Sequence, residues 1–320
     1  MSRFQFTRLP TLFAVALPIA LYSFSAQTPA PQAPSVISEL MREGQQHLRD
    51  GKPEEAVAIF RRAVEASPQS FPANNQLGVA LDLTGNYAEA RRQFGKALEL
   101  AADPQQKVQA QRSMAMSYAF EGDCVNAVKF EAPVYEMQLA EKNFFDAGEV
   151  ANELARVCLD AGNVDEAEKW YRTGHDAGLR EPEIKADRKD LWEFRWEHAQ
   201  GRIAARRGNR SEAERHVAAG RAILDRGTNP QQTQFLPYLA GYVALYAGDA
   251  TTANAELQKA NQSDPFILCL IGEAYEKLGQ RDQAAAYYQK ASAAATAHNP
   301  PSAYARRKAK KLAPQPSAPA

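Results

Sequence analysis

The chain has little of what marks most specialised classes. Three cysteines in 320 residues are too few for a disulfide scaffold. Lys and Arg (38) balance Asp and Glu (38), so the basic surplus of a general nucleic-acid binder is missing. No apolar run reaches the roughly 20 residues of a membrane-spanning helix; the longest candidate, Leu12–Tyr22, is shorter and broken by Pro18. Aromatics stand at 9% and total apolar residues at 45%. These proportions exclude global disorder, a collagen-like chain and a polytopic membrane protein.

Motifs of chemistry are missing as well. The sequence holds no G-x-S-x-G elbow, no phosphate-cradling G-x-x-x-x-G-K-[ST] and no H-E-x-x-H. The five histidines, His47, His175, His198, His216 and His298, are scattered one to an element, none with a second ligand at helical spacing. A zinc site needs three or four ligands. The expectation is no metal, no cofactor and no enzyme.

What is present begins with an export-type N-terminus. Arg3 and Arg8 precede the apolar run, and small residues follow at Ser23, Ser25 and Ala26. Residues 1–26 read as a cleavable signal, with an uncleaved N-terminal anchor as the alternative. Either places the remaining chain outside the cytoplasm, periplasmic or secreted. Residues 27–36 form a Pro/Ala-rich linker, and residues 313–320 a disordered Pro/Ala tail.

Between them runs a period. Gly44, Gly51, Ala56, Phe60 and Ala63 recur 34 residues on as Gly78, Gly85, Ala90, Phe94 and Ala97. The frame returns with Ala115, Gly122 and Ala127; with Ala155, Gly162, Ala167 and Tyr171; and with Gly201, Gly208, Ala213 and Val217. Gly241, Gly248, Ala253 and Leu257 form a sixth copy, and Gly272, Gly279, Ala284 and Tyr288 a seventh. The first small residue permits close helix crossing. The second glycine suits a helix C-terminus with positive φ. The large residue is expected to fill the space between neighbouring units. One such pair cannot bury its apolar face alone, so units must stack.

This frame resembles the tetratricopeptide repeat. The resemblance covers residues 37–299 and implies an all-α solenoid, a right-handed superhelix of about seven helix–turn–helix repeats whose first helices line the concave face. Distances between the key alanines, 34, 37, 40, 46, 40 and 31 residues, place the irregularity in the middle. Pro133 is expected to kink or end the second helix of copy three, leaving Val134–Phe145 to a turn of its own. A long helix is expected over about 184–207. Residues 300–312 read as a basic helix capping the end of the array.

Site candidates follow from that face. Asn152 and Arg156 fall on it in copy four, Arg195, His198 and Arg202 in copy five, and Phe235, Tyr238 and Tyr242 in copy six. Arginine forks onto carboxylates and aromatic rings stack on side chains or sugars. These residues form a candidate groove for a peptide, acidic ones included. The alternative is that the aromatics are inter-repeat core and the arginines pair locally. Trp192 and Trp196, four apart, are likewise either core or an exposed patch. Cys124 and Cys158 fall at the same end of antiparallel neighbours and could pair in an oxidising compartment, or be two small buried residues. Arg306, Arg307, Lys308, Lys310 and Lys311 offer a peripheral contact with envelope polymer or anionic lipid, or simply a solvated face. Some members of the family grip a C-terminal carboxylate through a Lys/Asn/Arg clamp; the matching positions here hold Met41, Gln45, Pro72, Gln76, Gln109 and Ser113, so that function does not carry over. The expected function is a non-catalytic protein-interaction scaffold or assembly factor of the cell envelope, with a peptide or protein partner and no nucleic acid. A cell-wall or polysaccharide-binding module is the alternative.

Overall fold

The computed structural model describes residues 35–312. The signal expected over 1–26, the tail at 313–320 and all of the linker but Ser35 and Val36 lie outside them. The described chain is a succession of helical hairpins, and no strand occurs among the described residues. The first three hairpins are α1 (Val36–Arg49) with α2 (Pro53–Ala66), α3 (Phe71–Leu83) with α4 (Tyr87–Leu100), and α5 (Pro104–Glu121) with α6 (Cys124–Ala140). Next come α7 (Phe144–Ala161) with α8 (Val164–Gly178) and α9 (Ala186–Arg206) with α10 (Arg210–Leu224). The last two are α11 (Phe235–Tyr246) with α12 (Ala250–Leu257) and α13 (Pro265–Lys277) with α14 (Arg281–Ala294). A final helix, α15, spans Pro300–Leu312. Each helix of the seven hairpins packs on the next, which makes the array a solenoid.

Local signals set these boundaries. Asp103 caps α5 by accepting from the Gln106 amide at 2.8 Å, with Pro104 at the first helical position. Gly122 ends the same helix at φ +78°, a conformation that a side chain disfavours.

The small residues of the frame are the contact points. Ala56, Ala90, Ala127, Ala167, Ala213 and Ala253 are fully buried. The large residue reaches the neighbouring unit, Phe60 sharing a core cluster with Leu77, Ala80 and Leu81 of the next hairpin, and it also covers the glycine of its own. Phe60 lies over Gly44 and Tyr288 over Gly272, each within its own hairpin. A Cβ on Gly272 would come within 2.7 Å of the Tyr288 ring. Gly272→Val is therefore expected to lower stability by about 1–3 kcal/mol through overpacking. An unchanged thermal midpoint would contradict this packing.

Some expectations shift. Helix α6 runs unbroken through Pro133, whose ring faces solvent while Val134 and Tyr135 beside it are buried, so the lost hydrogen bond falls on the water side. Residues Val134–Phe145 form no separate turn; α7 already starts at Phe144. Trp192 is fully buried core. Trp196 is partly buried, with the Arg172 guanidinium 5.2 Å from its ring. Helix α15 does not merely cover the last hairpin. It turns inward and packs on α5, α7, α13 and α14.

Candidate functional site: a polar cavity on the inner face

The first helices of the hairpins form the inner face, and opposite parts of it meet. The Arg156 guanidinium on α7 lies 5.0 Å from the Phe266 ring on α13. The face is thus closed across its middle instead of running as one open groove. Space remains on either side, towards the N-terminal and towards the C-terminal ends of these helices.

The N-terminal side holds a cavity of about 300 Å³. It brings together Asn152 and Arg156 from α7, Arg195, His198 and Arg202 from α9, and Phe235 and Tyr238 from α11. Their common placement follows from helical spacing. Asn152 and Arg156 are four apart, as are His198 and Arg202, so each pair shares one helix face.

The floor is an arginine–tyrosine layer. Arg202, 6% exposed, donates to the Tyr171 hydroxyl at 2.8 Å and to the Tyr238 hydroxyl at 3.2 Å, while its Nε reaches the His198 carbonyl at 3.3 Å. Burial pushes the Tyr238 phenol up to about 12, so it stays protonated. Burial holds His198 well below its usual range, and the Arg202 and Arg156 charges push the same way. Its ring is neutral at pH 7.

Two groups in the walls are unpaired. Nε and Nη2 of Arg156 are buried without a hydrogen-bond partner, and the nearest carboxylate oxygen, Asp160 Oδ2, is 3.8 Å away. Nε2 of His198 is buried and unpartnered too. Arg195, by contrast, is held by Glu149 in an ion pair. Phe235 stands at the rim, 40% exposed.

Tyr242 is not part of this cavity. It sits one helical turn beyond Tyr238, below the floor, 1% exposed, with its ring 4.6 Å from that of Tyr246. The sequence had also given no role to Glu149, to Tyr171 on the outer helix α8, or to Gln232, Asn261 and Asp264 from the connections. Tyr171 occupies the large-residue position of its repeat, which signals packing and hides the hydroxyl's use.

The basic C-terminal cluster is spent inside the molecule. Arg306 donates to the carbonyls of Leu83 and Ala295, Arg307 to that of Asp160 at 3.3 Å, and Lys308 pairs with Glu273 at 3.0 Å. Each of these three side chains thus has a partner within the chain. The side chains of Lys310 and Lys311 lie outside the described residues. Cys124 and Cys158 are joined by a disulfide, with Cα atoms 4.8 Å apart. Among the described residues no three His, Cys, Asp or Glu side chains gather as metal ligands, and no helix is long and apolar enough to cross a membrane.

Known proteins bear on the repeat frame. Residues 41–107, 149–173 and 267–298 each match the tetratricopeptide repeat. The photosystem I assembly protein Ycf3 of Synechococcus sp. (strain CC9902) is 24% identical over 100 residues, 31% of this chain. The match spans 58% of that relative's length. A tetratricopeptide repeat protein from Parabacteroides merdae is 17% identical, covering 80% of this chain and 91% of that one, with a TM-score of 0.49. A kinesin light chain with TPR-like repeats from Podospora anserina is 19% identical over 61% of this chain and 98% of that one, also at 0.49. Three separate segments match one repeat type, and the hairpins between them keep its frame; the chain carries tetratricopeptide repeats.

Proposed function

We propose that the chain is an exported, non-catalytic interaction scaffold or assembly factor of the cell envelope, and that a peptide or protein partner enters the Arg156 cavity. The observation that carries this is the unpaired set of Arg156 Nε and Nη2 and His198 Nε2 around one opening. The buried Arg156 N–H groups are costly without partners, and an incoming acceptor relieves that cost. A volume of about 300 Å³ suits one side chain or a chain end rather than a folded surface. The guanidinium favours a carboxylate there.

Acid and base groups do share the cavity, but its acids are engaged elsewhere. Glu149 is held by Arg195, and Asp264 accepts from the Phe266 amide at 2.8 Å. No carboxylate orients His198, which supports a binding role. The polysaccharide alternative draws less support, because Tyr238 and Tyr242 offer no exposed ring. The name of the cyanobacterial relative, an assembly protein, supports the assembly reading. The basic and apolar N-terminus and the disulfide support export.

The test uses residues 27–320 as bait in an envelope extract, beside the same chain carrying Arg156→Ala and His198→Ala. A defined protein retained by the first and lost by the second is the expected result. Equal retention by both would move the partner site elsewhere. Retention of no protein by either would overturn the scaffold reading.

A further inference from the structure

The C-terminal segment is seated like a ligand. Residues 295–299 leave the last hairpin, and α15 then begins with its own start signals. Asn299 accepts from the Ser302 amide at 3.0 Å, and Pro300 opens the helix. A helix so encoded does not depend on the frame of the repeats.

Its first anchor is His298. The ring lies 5.4 Å from that of Phe120, stacked, and 5.6 Å from that of Phe94. Its Nε2 meets Asp82 Oδ2 at 2.8 Å. Asp82 is fully buried and otherwise receives only the Ser117 hydroxyl, also at 2.8 Å. A buried carboxylate flanked by two phenylalanines is a socket for a cationic or N–H-bearing ring. The group that fills it comes from 216 residues away.

The second anchor is electrostatic. Inner helices α3, α5 and α7 present their C-terminal ends here, where unpaired carbonyls and the helix dipole attract cations. Arg306 reaches the carbonyl of Leu83, the last residue of α3. Arg307 reaches Asp160 near the end of α7 and crowds Gly122 at the end of α5. Tyr304 donates to Glu273 of α13 at 2.8 Å. Between these anchors the buried small residues Ser302, Ala303 and Ala305 make the contact, and the Tyr304 ring lies 4.5 Å from that of Phe266. The helix does not fill its berth. A cavity of about 760 Å³ stays open beside it, lined by Phe120, Asp160, Arg206 and Tyr246 on one side and by Tyr304 and Arg307 on the other.

We propose that this edge is a second interaction surface, one that takes a short basic helix led by a histidine-like anchor, and that residues 296–309 occupy it as a displaceable intramolecular ligand. A partner that presents the same pattern, a ring donor followed eight residues later by paired arginines, exchanges with the chain's own helix. The exchange needs nothing in the Arg156 cavity, so failure of one site leaves the other standing.

Hydrogen exchange on the full chain, disulfide intact, tests the first half. Amides of α15 should exchange through a local opening in which α5 and α13 stay protected. Arg306→Glu with Arg307→Glu should speed α15 exchange about tenfold or more and leave α9 and α10 unchanged. A synthetic peptide of residues 296–312 tests the second half. It should bind this double variant at least about tenfold tighter than the parent, and lose about tenfold or more on His298→Ala in the peptide. Exchange of α15 only together with α5 and α13 would overturn the proposal, as would an opened variant that does not take the peptide.

Discussion

Replacing Trp192 with alanine should lower the stability of the array by about 3–5 kcal/mol, the range for deleting a fully buried aromatic. The indole is completely enclosed and lies against Gly148 and Gly178, two positions where a Cβ would collide with it. Phe145 meets it edge-on at 5.5 Å, and the Arg195 guanidinium sits 4.9 Å from the ring. The residue therefore holds the fourth hairpin to the fifth. Its Nε1 has no hydrogen-bond partner, so packing of the rings against Gly148 and Gly178 carries the stabilisation. Trp192→Phe, which removes that orphan donor along with some volume, should cost less than half as much as alanine. Denaturant unfolding followed by helical circular dichroism checks both. A loss below about 1 kcal/mol for alanine would mean the fourth and fifth hairpins are held by other contacts.

Removal of the disulfide carries the second large effect. Cys124 opens α6 and Cys158 lies near the end of α7, so the bond ties hairpin three to hairpin four across 34 residues. A loop of that length corresponds to about 3–4 kcal/mol in the chain-entropy account. In a stacked array this bond reinforces one nearest-neighbour interface. Its loss should lower the unfolding midpoint and broaden the transition as the halves uncouple. The third cysteine does not confuse the measurement, because burial pushes the Cys269 thiol up to about 12 and leaves no thiolate to exchange. Midpoints measured with and without reductant, together with the Cys124→Ala, Cys158→Ala chain, give the value. Equal midpoints would show that the interface holds without the bond.

The frame was legible because it is a volume constraint. Alanine at position 56 and its equivalents is buried between helices, and glycine at 44, 78 and 272 makes room for the ring of Phe60, Phe94 or Tyr288; small residues at fixed intervals are visible in a string of letters. Seven of the eight named site residues meet in one cavity for a related reason: three inner helices have polar and aromatic faces at the same height. Tyr242 escaped because a single helical turn separates the cavity wall from what lies under its floor. The pairing of Arg195 with Glu149 joins α9 to α7, and nothing local to either residue announces it. Pro133 misled for a similar reason, since its cost depends on which side of α6 faces water. The inward turn of α15 was least visible of all. Its basic residues suit a surface as well as they suit a row of helix ends, and only the return of the chain onto α3, α5 and α7 decides between them.

The contact between His298 and Asp82 changes how the molecule must be made. Repeat arrays generally have low contact order, and each hairpin folds against the one just completed. Here the socket in the second and third hairpins waits for a residue near the end of the chain. During synthesis the first hairpins can form early, yet Asp82 remains without its ring until more than 200 further residues have followed. Maturation therefore divides into a fast, progressive phase and a closing event that concerns residues 296–309. A fluorescent reporter beside Phe120 would register that event separately from the gain of helix.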